Sequence, residues 1–198
     1  MKLCVFQGTF NPIHNAHLRI AKYVLNKYNF DKILFIPAFQ PPHKNYDINM
    51  SLHRLNMVKL ALVDINNPKI EISDIEYHRN SKSYTYLTIC ELYKKYKIEG
   101  KINFIIGTDA FKQIESWYEA NKLKKIVKFI VFKRQNDFSS LEYNYFREVG
   151  YDFVLEELSF KDISSTRLRN MIKNDEVIDG LISEKVKEYI KQYGLYET

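Results

Sequence analysis

With 198 residues, 45% of them hydrophobic and 27% charged, the chain has the composition of an ordinary globular protein, long enough to bury one substantial core. No apolar run approaches the roughly 20 residues that cross a bilayer, and two cysteines, Cys4 and Cys90, supply neither a disulfide framework nor a metal-ligand spacing. The net charge of +6 is spread over short clusters such as Lys94-Lys95 and Lys124-Lys125, with no long basic tract, which suits a solvated surface or a field that gathers small polyanions.

Leu3–Phe6 is a short apolar run ended by Gly8 and reads as a buried strand. Leu18, Ala21, Leu25 and Tyr28 then recur at helical spacing and predict a helix from about Asn15 to Tyr28. Lys32–Ile36 reads as a second strand stopped by Pro37, and Pro41-Pro42-His43-Lys44 sits in a loop that cannot be helical. Ser51 is the predicted N-cap of a helix over Leu52–Val63, in which Leu52, Leu55, Val58 and Leu62 share a face. Lys69–Ser73 and Lys101–Ile106 read as strands on either side of a helix over Tyr84–Tyr96. Short helices from Asp109 and before Lys125 lead to a strand over Val127–Phe132. The stretch from Lys133 to Tyr151 is the least patterned and reads as a surface insertion. Phe153–Leu155 is the last predicted strand, and helices begin near Thr166 and Ser183.

Strands alternating with helices predict an α/β fold, a Rossmann-like, doubly wound parallel sheet. Right-handed crossovers place helices on both faces. One domain spanning residues 1–198 is expected, with the helical part from about 164 to 198 packed on it. Ligands of such sheets bind beyond the C-terminal strand ends, where Gly8, Pro37, Gly107 and Lys133 all fall.

Two strings of residues are suited to holding phosphate. The first, Gly8-Thr9-Phe10-Asn11-Pro12-Ile13-His14-Asn15-Ala16-His17, lacks the Gly-Lys-Ser/Thr ending of a P-loop and the spacing of a dinucleotide-binding glycine motif. It instead places His14 and His17 three residues apart at the first turn of a helix, projecting from one face. Free N–H groups and the positive helix end add to their field. Imidazole donors there can stabilise charge developing on phosphorus. The second string, Ser164-Ser165-Thr166-Arg167-Leu168-Arg169, offers an N-cap, exposed amides and two arginines; alone it also fits an ordinary capped helix. Lys44 on its rigid loop fits either a phosphate contact or a surface position, and Trp117 fits either the core or a plate for a flat heterocycle. Asp109, beside Gly107-Thr108, fits a ribose contact or a helix cap. No Gly-x-Ser-x-Gly elbow or His-Glu-x-x-His motif occurs. Transfer by positioning and electrostatics, which needs no protein nucleophile, suits these residues best.

Together these residues resemble the bacterial nicotinate-nucleotide adenylyltransferases, within the nucleotidyltransferases marked by a His-x-Gly-His motif. The resemblance runs through Pro41-Pro42-His43-Lys44, His53-Arg54, Ser83-Tyr84-Thr85, Phe104-Ile105-Ile106-Gly107-Thr108-Asp109 and Trp117-Tyr118 to Gly194-Leu195-Tyr196-Glu197. It implies transfer of adenylyl from ATP to nicotinate mononucleotide, with Mg²⁺ carried on the ATP phosphates and no metal site in the protein itself. It implies that His14, His17 and Lys44 act at the transferring phosphates. It further implies that Gly8, Thr9, Phe10, Ser164, Ser165 and Arg169 hold ATP, with Gly107 and Asp109 at its ribose. Trp117 would stack on the pyridine, and amides near Thr85 and Tyr118 would receive its carboxylate. Two positions depart from the family pattern: Gln7 stands where a glycine usually precedes Gly8, and Ala16 replaces the glycine between the histidines.

The same transfer to nicotinamide mononucleotide or another phosphate acceptor, and a nucleotide-binding module without catalysis, are the competing readings. A cytoplasmic enzyme is expected, with no nucleic-acid or membrane partner and with the capacity to form a homodimer.

Overall fold

The computed structural model describes residues 1–42, 47–133, 138–157 and 163–197. Six strands form one sheet: β1 (Leu3–Gly8), β2 (Lys32–Pro37), β3 (Ile70–Ile72), β4 (Ile102–Gly107), β5 (Val127–Lys133) and β6 (Phe153–Glu157). All adjacent pairs run parallel, in the order β3-β2-β1-β4-β5-β6. The connecting helices are α1 (Asn15–Tyr28), α2 (Ile48–Val63), α3 (Thr85–Lys95), α4 (Thr108–Phe111), α5 (Ala120–Ile126), α6 (Ser140–Glu148), α7 (Ser165–Lys173) and α8 (Glu184–Gln192). The expected doubly wound parallel sheet is the fold observed. Among the described residues no helix is long and apolar enough to cross a membrane.

The pleat divides the central strands between two cores. Cys4 and Phe6 join Leu18, Ala21 and Val24 of α1, Met57 and Val58 of α2, and Leu168, Val186 and Ile190 of the last two helices. Leu3 and Val5 face the other way, into a core with Ile89 and Leu92 of α3, Leu123 of α5 and Phe146 of α6.

The strand order reverses between β1 and β4, and there the sheet opens. β1 pairs with β2 along six positions, from Leu3↔Lys32 to Gly8↔Pro37. Its register with β4 covers only Cys4↔Asn103 and Val5↔Phe104. Beyond those residues the C-terminal ends part, as expected at a topological switch point. The parting strands make the walls of a cleft.

Two expectations are corrected. Helix α2 begins at Ile48, not Leu52, because Asp47 caps it by accepting from the Asn49 N–H at 2.9 Å. Ser51 lies inside the first turn, where its hydroxyl donates to the Phe39 and Asp47 carbonyls. The stretch after Lys133 is not a surface insertion. Residues 134–137 lie outside the described set, but α6 follows and its Phe146 is buried with Phe138 and Tyr151. Its start is a capping box, in which Ser139 Oγ accepts from the Glu142 N–H and the Glu142 carboxylate accepts from the Ser139 N–H.

Candidate active site

The turn after β1 carries the first phosphate string. Phe10 takes a left-handed backbone (φ 46°), a conformation a bulky residue adopts only where its surroundings compensate. Its ring is buried and approaches Gly8 so closely that a Cβ there would meet it at 3.1 Å. A side chain at position 8 would therefore need the Phe10 ring to shift by a few tenths of an ångström. Gln7, by contrast, has the ordinary extended backbone of β1, so the departure from a glycine pair puts no strain there. Ala16 is buried in the first turn of α1.

His14 is the N-cap of α1, and its N–H donates to His17 Nδ1 at 3.2 Å. That bond assigns the tautomer: with Nδ1 accepting, the His17 proton sits on Nε2. The two imidazoles stack at 3.7 Å, and Phe6 and Phe10 present edge contacts to His17 at 5.7 and 5.0 Å. This packing removes water, and with the neighbouring His14 it holds His17 well below the usual histidine range. His17 is neutral at pH 7 and keeps a donor on Nε2.

Arg54 of α2 braces the turn from below. Nearly fully buried, it donates to the Thr9 and Ala38 carbonyls at 2.8 and 2.6 Å, and to Phe39 O and Ser51 Oγ at 3.2 and 2.9 Å. One guanidinium thus joins the loops after β1 and β2 and leaves its positive charge beneath them.

The second string closes on the same turn. Ser165 Oγ donates to the Pro12 carbonyl at 2.9 Å, and Arg169 Nη1 donates to Asn11 O at 2.8 Å. Tyr196, beyond α8, donates to Asn11 Oδ1 at 2.6 Å. Ser164 caps α7 by accepting from the Arg167 N–H. Ser165 and Arg169 thus shape the histidine turn through its carbonyls.

The cleft at the switch point encloses about 780 Å³. Gly8, Thr9, Phe10 and His17 line one side; Ser83, Tyr84, Thr85, Phe104, Ile106, Gly107, Trp117 and Tyr118 contribute to the other. Thr85 is the first residue of α3, no side chain caps that helix, and Ser83, Tyr84 and Thr85 at its start all line the cleft. Half-buried Trp117 packs edge-on against Phe104 at 6.2 Å, and Tyr118 stacks on Tyr84 at 4.5 Å. Asp109 is exposed at the start of α4, outside the cleft lining. His14, Ser164, Ser165 and Arg169 also lie outside that lining, the last two bonded to the histidine turn. Lys44 falls outside the described residues. The sequence reading gave no role to Arg54 or to the Tyr196–Asn11 bond, because each acts on main chain or loop far away in sequence.

A family model described as cytidylyltransferase-like matches residues 5–171. The probable nicotinate-nucleotide adenylyltransferase of Caldicellulosiruptor saccharolyticus is 39% identical over 201 residues, covering 100% of both chains. The nicotinate-nucleotide adenylyltransferase of Bacillus subtilis is 35% identical, covering 100% of this chain and 99% of its own. The chain belongs to the nicotinate-nucleotide adenylyltransferase family. It is accordingly a nucleotidyltransferase by descent, and the fold agrees: nicotinic acid mononucleotide adenylyltransferase of Plasmodium falciparum, complexed with NaAD, matches with a TM-score of 0.78. That match is 24% identical and covers 99% of this chain and 97% of the other. In the present chain Gln7 donates through Nε2 to buried Glu76 at 2.6 Å. Burial pushes the Glu76 carboxyl up, and hydrogen bonds from Ser83, Thr88 and the Phe39 N–H, with the charge of Arg79, oppose that shift.

Proposed function

We propose that the protein transfers the adenylyl group of ATP to nicotinate mononucleotide in the cytoplasm, forming nicotinate adenine dinucleotide and pyrophosphate. The observation that carries this reading is a cleft with two unlike ends at the switch point. One end has a neutral histidine donor at a helix start, and the other has an uncapped helix start beside a tryptophan. A phosphate oxygen of the mononucleotide attacks the α-phosphorus; the new P–O bond forms as the bond to the bridging oxygen breaks, and pyrophosphate leaves with that electron pair. His17 donates from Nε2 to the phosphoryl oxygens as charge moves across them, and His14 positions the His17 ring. Gly8, Thr9 and Phe10 shape the α-phosphate turn, Lys44 adds charge at the phosphates, and Ser164, Ser165 and Arg169 serve the ATP end. Gly107 and Asp109 serve its ribose.

Trp117 stacks on the pyridine, and the amides near Thr85 and Tyr118 receive the carboxylate. A carboxylate accepts hydrogen bonds only, whereas an amide NH₂ would set donor against donor. Among the described residues no group of three or more His, Cys, Asp or Glu comes together that could hold a metal. Mg²⁺ would arrive bound to the ATP phosphates and would supply positive charge to the leaving pyrophosphate. Incubation with ATP, Mg²⁺ and nicotinate mononucleotide is expected to release pyrophosphate together with the dinucleotide. Absence of both products contradicts the proposal.

A further inference from the structure

Glu76 follows β3 and is fully buried, behind the cleft rather than in its lining. Four donors converge on its carboxylate, three of them from distant segments. Gln7 Nε2, at the end of β1, donates to Oε1 at 2.6 Å, and the Phe39 N–H, in the loop after β2, donates to Oε2 at 3.2 Å. Arg79 Nη2 reaches Oε1 at 3.4 Å, and the Thr88 hydroxyl of α3 donates to the same oxygen. The Gln7 amide nitrogen, the guanidinium and the main-chain N–H can only donate, so both carboxylate oxygens act as acceptors. Thr88 is also fully buried, and its oxygen accepts from Arg79 Nη2 at 2.8 Å. Its single proton is left for the carboxylate. Apolar packing would hold these segments without direction; a buried carboxylate with this many bonds fixes their relative placement, and losing one tie is costly.

The tied segments are those that build the cleft. Thr88 lies one turn into α3, and its N–H bonds the Tyr84 carbonyl at 3.2 Å, so its hydroxyl anchors the turn that starts at Thr85. Gln7, Ser83, Tyr84 and Thr85 all line the cleft. The Ser83 N–H donates to the Gln40 carbonyl at 2.8 Å and the Gln40 N–H to the Ser83 hydroxyl at 2.9 Å, a reciprocal pair that joins the same loops. We infer that Glu76 is a positioning residue for the acceptor nucleotide: through Thr88 it sets the first turn of α3 against the ends of β1 and β2, and so aligns the amides near Thr85 with the phosphate turn. It touches no substrate. The inference rests on the acceptor proposed above. A displacement of about 1 Å in such a turn is enough to weaken recognition strongly, while ATP, assigned to the two phosphate strings, is spared.

The test measures affinities for nicotinate mononucleotide and for ATP with Mg²⁺, each alone, by titration calorimetry in the wild type, Thr88→Val, Thr88→Ser and Glu76→Gln. Valine keeps the shape of threonine and removes the bond to Glu76, whereas serine keeps the hydroxyl. Thr88→Val is expected to bind nicotinate mononucleotide about tenfold more weakly, with its ATP affinity within about twofold of the wild type. Thr88→Ser should keep both affinities within about twofold. Glu76→Gln, which sets an NH₂ among these donors, should shift the same ratio in the same direction; if it does not fold, the pair at position 88 decides alone. Equal weakening of both nucleotides overturns the inference, and so does an unchanged affinity ratio with a lowered melting temperature, because each describes a merely structural tie. A serine variant that behaves like the valine one overturns it too. A wild type that binds ATP but not nicotinate mononucleotide overturns the acceptor proposed above and this inference with it. Binding needs no turnover, so the two failures are told apart.

Discussion

At His17 the two ring nitrogens have different tasks. Nδ1 is spent on the His14 N–H, which leaves Nε2–H as the donor toward a ligand. The ring needs no positive charge for this, and its burial against Phe6, Phe10 and His14 disfavours one. Replacing His17 by alanine is expected to lower kcat about 10²–10³-fold, the scale of losing one preorganised donor. Trp117→Ala should mainly raise KM for the pyridine nucleotide. Steady-state kinetics with each substrate varied separates the two, and equal changes in both variants would contradict this division. The same burial makes a pH prediction. Above about pH 6.5 His17 is neutral in both folded and unfolded chains; below it the unfolded chain gains a proton the folded one resists. Stability therefore falls as pH drops from about 6.5 through the depressed folded value, by at most about 1.4 kcal/mol per unit from this residue. Thermal melts between pH 8 and 5 should show a steeper decline for the wild type than for His17→Gln. Parallel curves would mean that His17 titrates normally.

Among the elements, those with a strict apolar rhythm were legible from sequence, with helix α1 predicted to the residue. Helix α2 was misplaced by one turn, because Ser51 and Asp47 are both acceptable caps and only the fold shows that the Ser51 hydroxyl is engaged by Phe39 O and Arg54. Helix α6 was missed for a different reason. Its most visible apolar residue, Leu141, is 80% exposed, while the residue that anchors it, Phe146, is surrounded by polar neighbours in sequence. The Ser139-x-x-Glu142 pattern was the available signal. Phe146 packs against Phe111, Phe138 and Tyr151 with ring centroids 4.8 to 6.0 Å apart. Phe146→Ala is accordingly expected to cost about 3–5 kcal/mol, transfer and cavity contributions together. Denaturant unfolding checks this; a loss below about 1 kcal/mol would return the segment to the status of a surface insertion.

For the whole molecule, the cleft is a consequence of topology. Six parallel strands wound in two directions from β1 must part at one place, and the register between β1 and β4 ends after Val5 and Phe104. The histidine string was legible because it directly follows β1, and Trp117 stood out as the one tryptophan beyond β4, whereas Thr85 entered through the family resemblance; the fold places all three along one cleft. What the sequence hid were long-range ties: Arg54 to Thr9, Arg169 and Tyr196 to Asn11, and Gln7 to Glu76. Each joins side chains to loops tens of residues away, and no local spacing announces them. Three of them brace the histidine turn and the fourth ties β1 to Glu76. The most direct measurement is kcat/KM for nicotinate and for nicotinamide mononucleotide with saturating ATP and Mg²⁺, followed by pyrophosphate release. Preference for the acid by at least about tenfold is predicted, the scale on which leaving polar groups mismatched costs binding. Equal values for the two would contradict carboxylate recognition at the α3 end, and no turnover with either would contradict the adenylyl-transfer account itself.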